Sequence, residues 1–410
     1  MIDRIKISIN FGSTDIPVGE LVEAERRYFF TYDSDFPAET MRLSPFKLPF
    51  DKNLAHEVSE KERRVFGGVH GVFADSLPDG WGLLLIKRSV ESRGRFFLDL
   101  TPLDLLSFAG ERTLGALRYR PVQILESGGD SNTLDLAKIG RESEKIFEGE
   151  ESKILGSLFR LGGSPGGARP KVLAAIGRDK NTHRIIKSDL NTLPENFEHW
   201  IIKFRGKGDA ADEAIAEFLY MQAAKSAGLI VPECDLFESK GQKFFGVKRF
   251  DIESSGKRYH MHSLAGLLHA DFRTPALDYK DFLKATKLLT QSQSDVRMGF
   301  RIAVFNVFFH NRDDHAKNFS FLMDETGRWR LAPAYDLTYS NGPGGEHTTS
   351  VLGEGKNITE DLLIKLGETA GIGRKDCLLI IDEVKLARVY AVKNLVEWGL
   401  KKHPLVMRLE

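Results

Sequence analysis

The segment that most restricts this chain is a junction, where the apolar run Ile302 to Phe309 breaks off into the dense polar stretch His310-Asn311-Arg312-Asp313-Asp314-His315-Ala316-Lys317-Asn318. A helix this apolar must be buried, so the polar loop leaving it is mounted on a rigid support. Phe319-Ser320-Phe321-Leu322, the turn Asp324-Glu325-Thr326-Gly327 and Trp329 to Asp336 then read as a β-hairpin. Such a hairpin returns Asp336 toward Asn318. An Asp, an Asn five positions later and a second Asp beyond a hairpin are what a phosphoryl-transfer site of the protein-kinase type requires. There the first Asp accepts a hydroxyl proton, and Asn and the second Asp are hard oxygen ligands suited to Mg²⁺. The plain alternative makes Asp313, Asp314 and Asp336 turn and cap residues. A transition-metal site of His310, Asp313 and His315 is a weaker rival, because it explains neither Asn318 nor Asp336 and lacks a helical His-Glu-x-x-His pattern. His315 is expected instead to orient the loop by hydrogen bonding.

Composition narrows the class without naming it. The 410 residues suffice for two or three packed units, each with an ordinary core. Lys and Arg number 58, as do Asp and Glu, so no surplus of positive charge argues for direct contact with nucleic acid or an anionic membrane. Cys234 and Cys377 are too few for a disulfide framework and lack metal-ligand spacing, which suits a reducing cytosol and two buried thiols. Met1 to Asn10 has no apolar signal-peptide core, and Ile302 to Phe309 falls far short of the roughly 20 residues a membrane span needs. The default expectation is a cytoplasmic protein with no membrane contact.

Along the chain, residues 1–124 carry short strands such as Ile5 to Ile9, Tyr28 to Tyr32 and Leu117 to Pro121, with one helix after Leu77-Pro78-Asp79-Gly80. Residues 125–151 turn polar and charged and read as a linker or solvated helix. Residues 152–255 are rich in strands, with a helix from Asp212 ending at Gly228. Residues 256–410 are mostly helical: Tyr279 to Thr290, Val296 to Phe309, Thr359 to Leu366 and Asp376 to Leu400. A strand-rich part followed by a helical part is an arrangement that can form a cleft.

The strand-rich part offers a partner set for the loop. Trp200-Ile201-Ile202-Lys203-Phe204 places a single lysine in an apolar strand, and Glu213 and Glu217 lie on the next helix, as in kinases whose strand Lys is fixed by a helix Glu. Taken alone, such a lysine is more often an exposed strand residue. Gly162-Gly163-Ser164-Pro165-Gly166-Gly167-Ala168-Arg169-Pro170-Lys171 can turn backbone N–H groups onto phosphate, although it is no Walker A motif and such loops are commonly just loops. His260-Met261-His262 reads as the polar entry to a helix rather than a metal cluster, and Gly344 to Lys356 either as a substrate loop, which kinases place after the metal-binding Asp, or as a plain solvated loop with no catalytic residue.

These segments, in this order through most of the chain, resemble the HipA toxins, serine/threonine kinases of bacterial type II toxin-antitoxin systems. Tyr32-Asp33, Leu43-Ser44-Pro45 and Phe73 to Gly82 are similar to the family's amino-terminal module. Ser164 to Lys171 resembles its Ser-x-x-Gly-Ala-Gln-x-Lys loop, Asp313 to Ser320 its Asp-Gly-His-Ala-Lys-Asn-Phe-Ser signature, and Leu331 to Asp336 its Leu-x-Pro-x-Tyr-Asp segment. The resemblance implies an α+β, protein-kinase-like two-lobed fold with a small N-terminal mixed module, a strand-rich nucleotide lobe and a mostly α-helical C-terminal lobe. It implies ATP and Mg²⁺, with Asp313 as catalytic base, Asn318 and Asp336 as metal ligands and Lys203 on the phosphates. Gly166, Gly167, Ala168, Arg169 and Lys171 would cover the nucleotide, and Ser164 would be autophosphorylated. Val247 to Asp251 would be the adenine hinge, with Phe250 as ring contact and Lys248 beside it; His315 would stand near the phosphates.

Three departures stand out: Asp314 replaces the usual Gly and could draw metal or face solvent, Arg169 replaces Gln and could meet phosphate, and Lys248 replaces a frequent Glu. The implied partners are a HipB-like helix-turn-helix antitoxin, DNA only through that antitoxin, and a protein acceptor, which in some relatives is an aminoacyl-tRNA synthetase. A corepressor with vestigial kinase activity and a small-molecule kinase of the same fold are the alternatives.

Overall fold

The computed structural model describes residues 2–94, 96–123, 134–152, 154–162, 166–178, 184–187, 193–206, 208–275 and 277–407. The chain divides into two compact units, Met1–Ala214 with Glu233–Met261 and Asp324–Gly327, and Ile215–Pro232 with His262–Met323 and Arg328–Glu410.

The first unit holds two antiparallel sheets. In one, Leu117–Arg120, Arg4–Asn10, Asp15–Ala24, Arg27–Tyr32 and His56–Glu57 lie side by side in that order. Its inner face follows from period-two alternation: Ile5, Ile7 and Ile9 are buried while Arg4 and Lys6 face water. The other sheet runs Arg184–Lys187, Lys171–Arg178, Phe197–Lys203, Gln242–Lys248, Cys234–Ser239. Helices Gly80–Glu91, Leu136–Glu148 and Leu155–Gly162 share a core with this second sheet, through Trp81, Leu85, Ile139, Ile146, Leu158, Val172 and Ile202.

Of the two readings of residues 125–151, linker or solvated helix, the helix is the one that forms, with one face in this shared core. Residues 136–148 form a helix started by Asp135, whose side chain accepts from the Lys138 N–H, and ended by Gly149 in the left-handed region. Leu136, Ile139, Ser143 and Ile146 make its buried stripe at helical spacing. The charges that suggested a linker occupy only the outer face. Residues 124–133, the polar part of that stretch, lie outside the described residues. The helix Pro102–Ala109, opened by a Thr101–Asp104 capping box, was not foreseen from its sequence.

In the second unit, Tyr279–Thr290, Gln293–Phe308, Glu360–Thr369 and Arg374–Glu397 are the main helices, the first three capped by the side chains of Asp278, Ser292 and Thr359. The helix Gln293–Phe308 buries Val296, Phe300, Ile302, Ala303, Val304 and Phe305. Gly299 lets it approach its neighbour, since a Cβ there would lie 2.9 Å from a Leu283 methyl carbon. Ser320–Met323 and Trp329–Leu331 pair as the expected antiparallel hairpin. Among the described residues no helix is long and apolar enough to cross a membrane. Cys377 is buried and its thiol is pushed up to about 11 by that burial, whereas Cys234 is only partly buried.

Candidate active site

The polar loop emerges from the helix as the sequence indicates, and its support is a buried hydrogen-bond network. Asn311 Nδ2 donates to Asn306 Oδ1 at 3.0 Å, Asn306 Nδ2 donates to Tyr279 Oη at 2.9 Å, and Tyr279 Oη donates to Asp314 Oδ2 at 2.7 Å. His347 Nδ1 meets the same carboxylate oxygen at 2.8 Å, and the Thr348 and Thr349 N–H groups donate to Asp314 Oδ1 at 2.8 and 3.2 Å. Asp314 is fully buried, which corrects the expectation that it faces solvent. Both carboxylate oxygens accept from buried donors, and the residue staples the loop to residues 347–349. Burial first, then the Asp314 charge, hold the Tyr279 phenol protonated well above its ordinary range.

One residue earlier the environment reverses. The Asp313 side chain is 62% exposed, with His315 Nε2 3.9 Å from its Oδ1. At that distance His315 does not orient Asp313 by a hydrogen bond; its backbone does the ordering, with His315 O accepting from Asn318 N at 2.8 Å. Asn318 Nδ2 donates to Asp313 O at 2.8 Å. Because that donor is committed, the amide Oδ1 is the atom left for a cation.

Asp336 reaches the same region through the hairpin. Tyr335 Oη donates to Lys317 O at 2.7 Å and meets Ser320 Oγ at 2.6 Å, while Ala332 N donates to Ser320 O at 2.9 Å. These bonds fasten the neighbour of Asp336 to the neighbour of Asn318. Asp336 itself has a left-handed backbone, φ 56°, an uncommon state for a residue with a Cβ and one found at functional sites. An amide oxygen and a carboxylate are hard donors that fit Mg²⁺, whose remaining positions are usually filled by phosphate and water. Among the described residues no group of three or more His, Cys, Asp or Glu could hold a metal, so the rival site of His310, Asp313 and His315 finds no support.

The expected nucleotide contacts lie in the first unit. Lys203 pairs in register with Lys171 on one side and Phe245 on the other, and its Nζ stands 5.7 Å from the centre of the Phe245 ring. Lys171 is buried and donates from Nζ to Gly166 O, so it fastens the loop's own backbone. Arg169 is held by two carboxylates, with Nε 3.2 Å from Asp209 and Nη2 2.7 Å from Glu213. Of the two glutamates expected to fix Lys203, Glu213 is therefore engaged by Arg169, and Glu217 is buried one turn on. Gly166, Gly167 and Ala168 are described and lie between Arg169 and the helix Leu155–Gly162; Ser164 falls outside the described residues.

At the hinge the strand stops at Lys248, whose Nζ pairs with Glu198 and lies 3.8 Å from Glu233. Arg249 and Asp251, both buried, form a two-pronged pair at 3.0 and 2.6 Å and leave Phe250 between them. Gly115 N donates to Asp251 Oδ2 at 2.6 Å and Arg249 Nη2 to Thr113 O at 3.3 Å. Burial opposes ionisation of Asp251, but the Arg249 charge and these hydrogen bonds win and hold its carboxyl below the usual range.

Next to this pair His199 is 6% exposed. Burial, followed by the Arg249 and Arg258 charges, pushes its imidazole down to about 4. A free imidazole titrates near 6.5, so between those values the unfolded chain binds more protons than the folded one. Stability from this group is thus complete above about pH 6.5, falls toward about pH 4 and levels off below, a loss of up to about 3 kcal/mol. Urea unfolding across that range checks this, and His199→Gln is expected to flatten the decline.

Sequence reasoning missed Tyr279, Asn306 and His347 as supports of the loop. Their partner, Asp314, lies 35 residues from one and 33 from another, and no local pattern marks such pairings.

The model of the HipA-like C-terminal domain matches residues 163–391, and that of the HipA N-terminal domain matches residues 12–120. HipA of Shewanella oneidensis MR-1, solved with HipB and its operator DNA, superposes with a TM-score of 0.67 at 19% identity, covering 97% of this chain and 92% of that one. This likeness shows the fold, α+β with strand-rich and helical regions. The Sinorhizobium fredii protein named "Putative kinase Y4mE" is 29% identical over 131 residues, 30% of this chain and 31% of its own length, so the match spans about a third of that relative. Two family models in sequence order, together spanning most of the chain and including the loop of Asp313 and Asn318, place this protein in the HipA family.

Proposed function

We propose that this protein is an ATP- and Mg²⁺-dependent phosphotransferase that acts on serine or threonine hydroxyls of a protein. We further propose that it is the toxin of a HipA/HipB-like pair that reaches DNA only through its antitoxin. The observation that carries the reading is the pairing of an exposed Asp313 with a rigidly supported loop: Asn318 is oriented by Asp313 O, and Asp336 is tied to the same loop by Tyr335. Exposure leaves the Asp313 carboxylate accessible to a protein acceptor, and the network anchored on the adjacent Asp314 holds the loop backbone that carries it, so catalysis rests on positioning.

In this reading Asp313 takes the hydroxyl proton, Asn318 and Asp336 hold the metal through oxygen atoms, and Lys203 holds the phosphates. Phe250 packs on the base, and Gly166 to Lys171 cover the nucleotide. Bound magnesium neutralises phosphate charge during transfer. Arg169 and Lys248 act by fixing their neighbours, since carboxylates already hold both. Ser164 is the proposed autophosphorylation site.

Purified protein with Mg-ATP and a generic protein acceptor is expected to yield phosphoserine or phosphothreonine. Lys203→Ala is expected to raise KM for ATP about 10- to 100-fold, the value of one lost charge-assisted hydrogen bond. No nucleotide binding by wild type would overturn the reading. Phosphoproteomics after brief induction of wild type against Asp313→Ala then identifies the acceptor and tests for an aminoacyl-tRNA synthetase among the targets.

A further inference from the structure

Asp79-Gly80-Trp81 lies more than 80 residues before the glycine-rich loop, yet both backbone polar groups of Gly167 are bound there. Asp79 Oδ1 accepts from Gly167 N, and Trp81 N donates to Gly167 O at 3.0 Å. The fit leaves no room for a side chain between them: a Cβ on Gly80 would stand 2.5 Å from Gly167 O and 2.7 Å from Ala168 Cα. Gly80 also has φ +39°, so only glycine meets both demands without strain. On the other side Lys171 Nζ donates to Gly166 O.

The clasp itself cannot drift, because Trp81 is fully buried and stacks on Phe147 with ring centres 5.4 Å apart. The same domain grips the hinge independently, through Gly115 on Asp251 and Thr113 on Arg249.

We infer that Asp79 is a positioning residue for nucleotide binding: with Trp81 it holds Gly167 and Ala168 in a single backbone shape, making the N-terminal domain a working part of the nucleotide site. The inference rests on reading Gly166 to Lys171 as the nucleotide-covering loop. A carboxylate accepting an amide N–H is a strong bond, and its loss frees a segment whose glycines otherwise explore many conformations. The Gly167 N–H is consumed by Asp79 and is not a phosphate donor; the shape of the loop, rather than that donor, is what Asp79 supplies.

The test compares full-length wild type, Asp79→Ala and Asp79→Asn in two measurements. In nucleotide-free protein, amide hydrogen exchange over residues 166–171 is expected to speed up about tenfold or more in Asp79→Ala and less in Asp79→Asn, which keeps an acceptor oxygen. KM for ATP is expected to rise about tenfold in Asp79→Ala with kcat and the acceptor KM within about twofold, and to recover partly in Asp79→Asn. Unchanged exchange in a folded Asp79→Ala overturns the inference, as does a kcat loss with KM for ATP unmoved. Should Asp79→Ala not fold, unaltered exchange and KM in Asp79→Asn count against the inference in the same way. If wild type binds no nucleotide, the phosphotransferase reading fails, while the exchange measurement still decides whether Asp79 orders the loop.

Discussion

Asp313→Ala is expected to lower phosphotransfer by about 10²- to 10⁴-fold, the range for removing a positioned general base, while the folded state keeps its stability. The two halves of this expectation have one origin. The Asp313 side chain is 62% exposed, so truncating it buries no unsatisfied group and opens no cavity. The groups that order the loop there are backbone atoms, Asp313 O accepting from Asn318 Nδ2 and His315 O accepting from Asn318 N, and alanine at position 313 leaves both in place. KM for ATP should therefore change little while kcat collapses. Steady-state kinetics with a melting curve checks this; an active Asp313→Ala would remove the base from the proposed mechanism.

Asp314→Ala is expected to do the opposite, reducing stability by about 3–5 kcal/mol, as when one partner of a buried charged network is removed. Tyr279 Oη, His347 Nδ1 and the Thr348 and Thr349 N–H groups all lose their acceptor in a place water does not reach. Each buried donor left unpaired costs about 1–3 kcal/mol, partly recovered by relaxation. Urea unfolding measures the loss directly. Asp314→Asn should remain destabilised, because its NH₂ group offers a donor where only donors arrive. Activity falls with stability in this variant, since the loop loses its tie to residues 347–349. Two adjacent carboxylates thus separate by readout, one through turnover and the other through unfolding.

The placement of the loop was legible because it is written locally. The nearly all-apolar run Ile302 to Phe309 reads as the end of a buried helix, and the turn Asp324 to Gly327 between two apolar stretches reads as a hairpin that brings Asp336 back. Other features were legible in principle but masked by composition. Leu136, Ile139, Ser143 and Ile146 form a helical stripe inside a charged stretch, and counting charge concealed the spacing. Asp314 was the hardest residue to place, since nothing around it in the sequence says whether a second carboxylate faces solvent or is buried.

By itself the sequence determined most element types, the polar loop and the family resemblance, because periodicity, turn chemistry and motif order are properties of neighbours along the chain. Only the tertiary structure decided what each charge does. It set Asp314 among four buried donors, gave Arg169 to Asp209 and Glu213, and closed Asp79 on Gly167. Whether a charged group catalyses, pairs or holds a loop depends on burial and on partners brought together by folding from distant positions, and a buried charge persists only where such partners satisfy it.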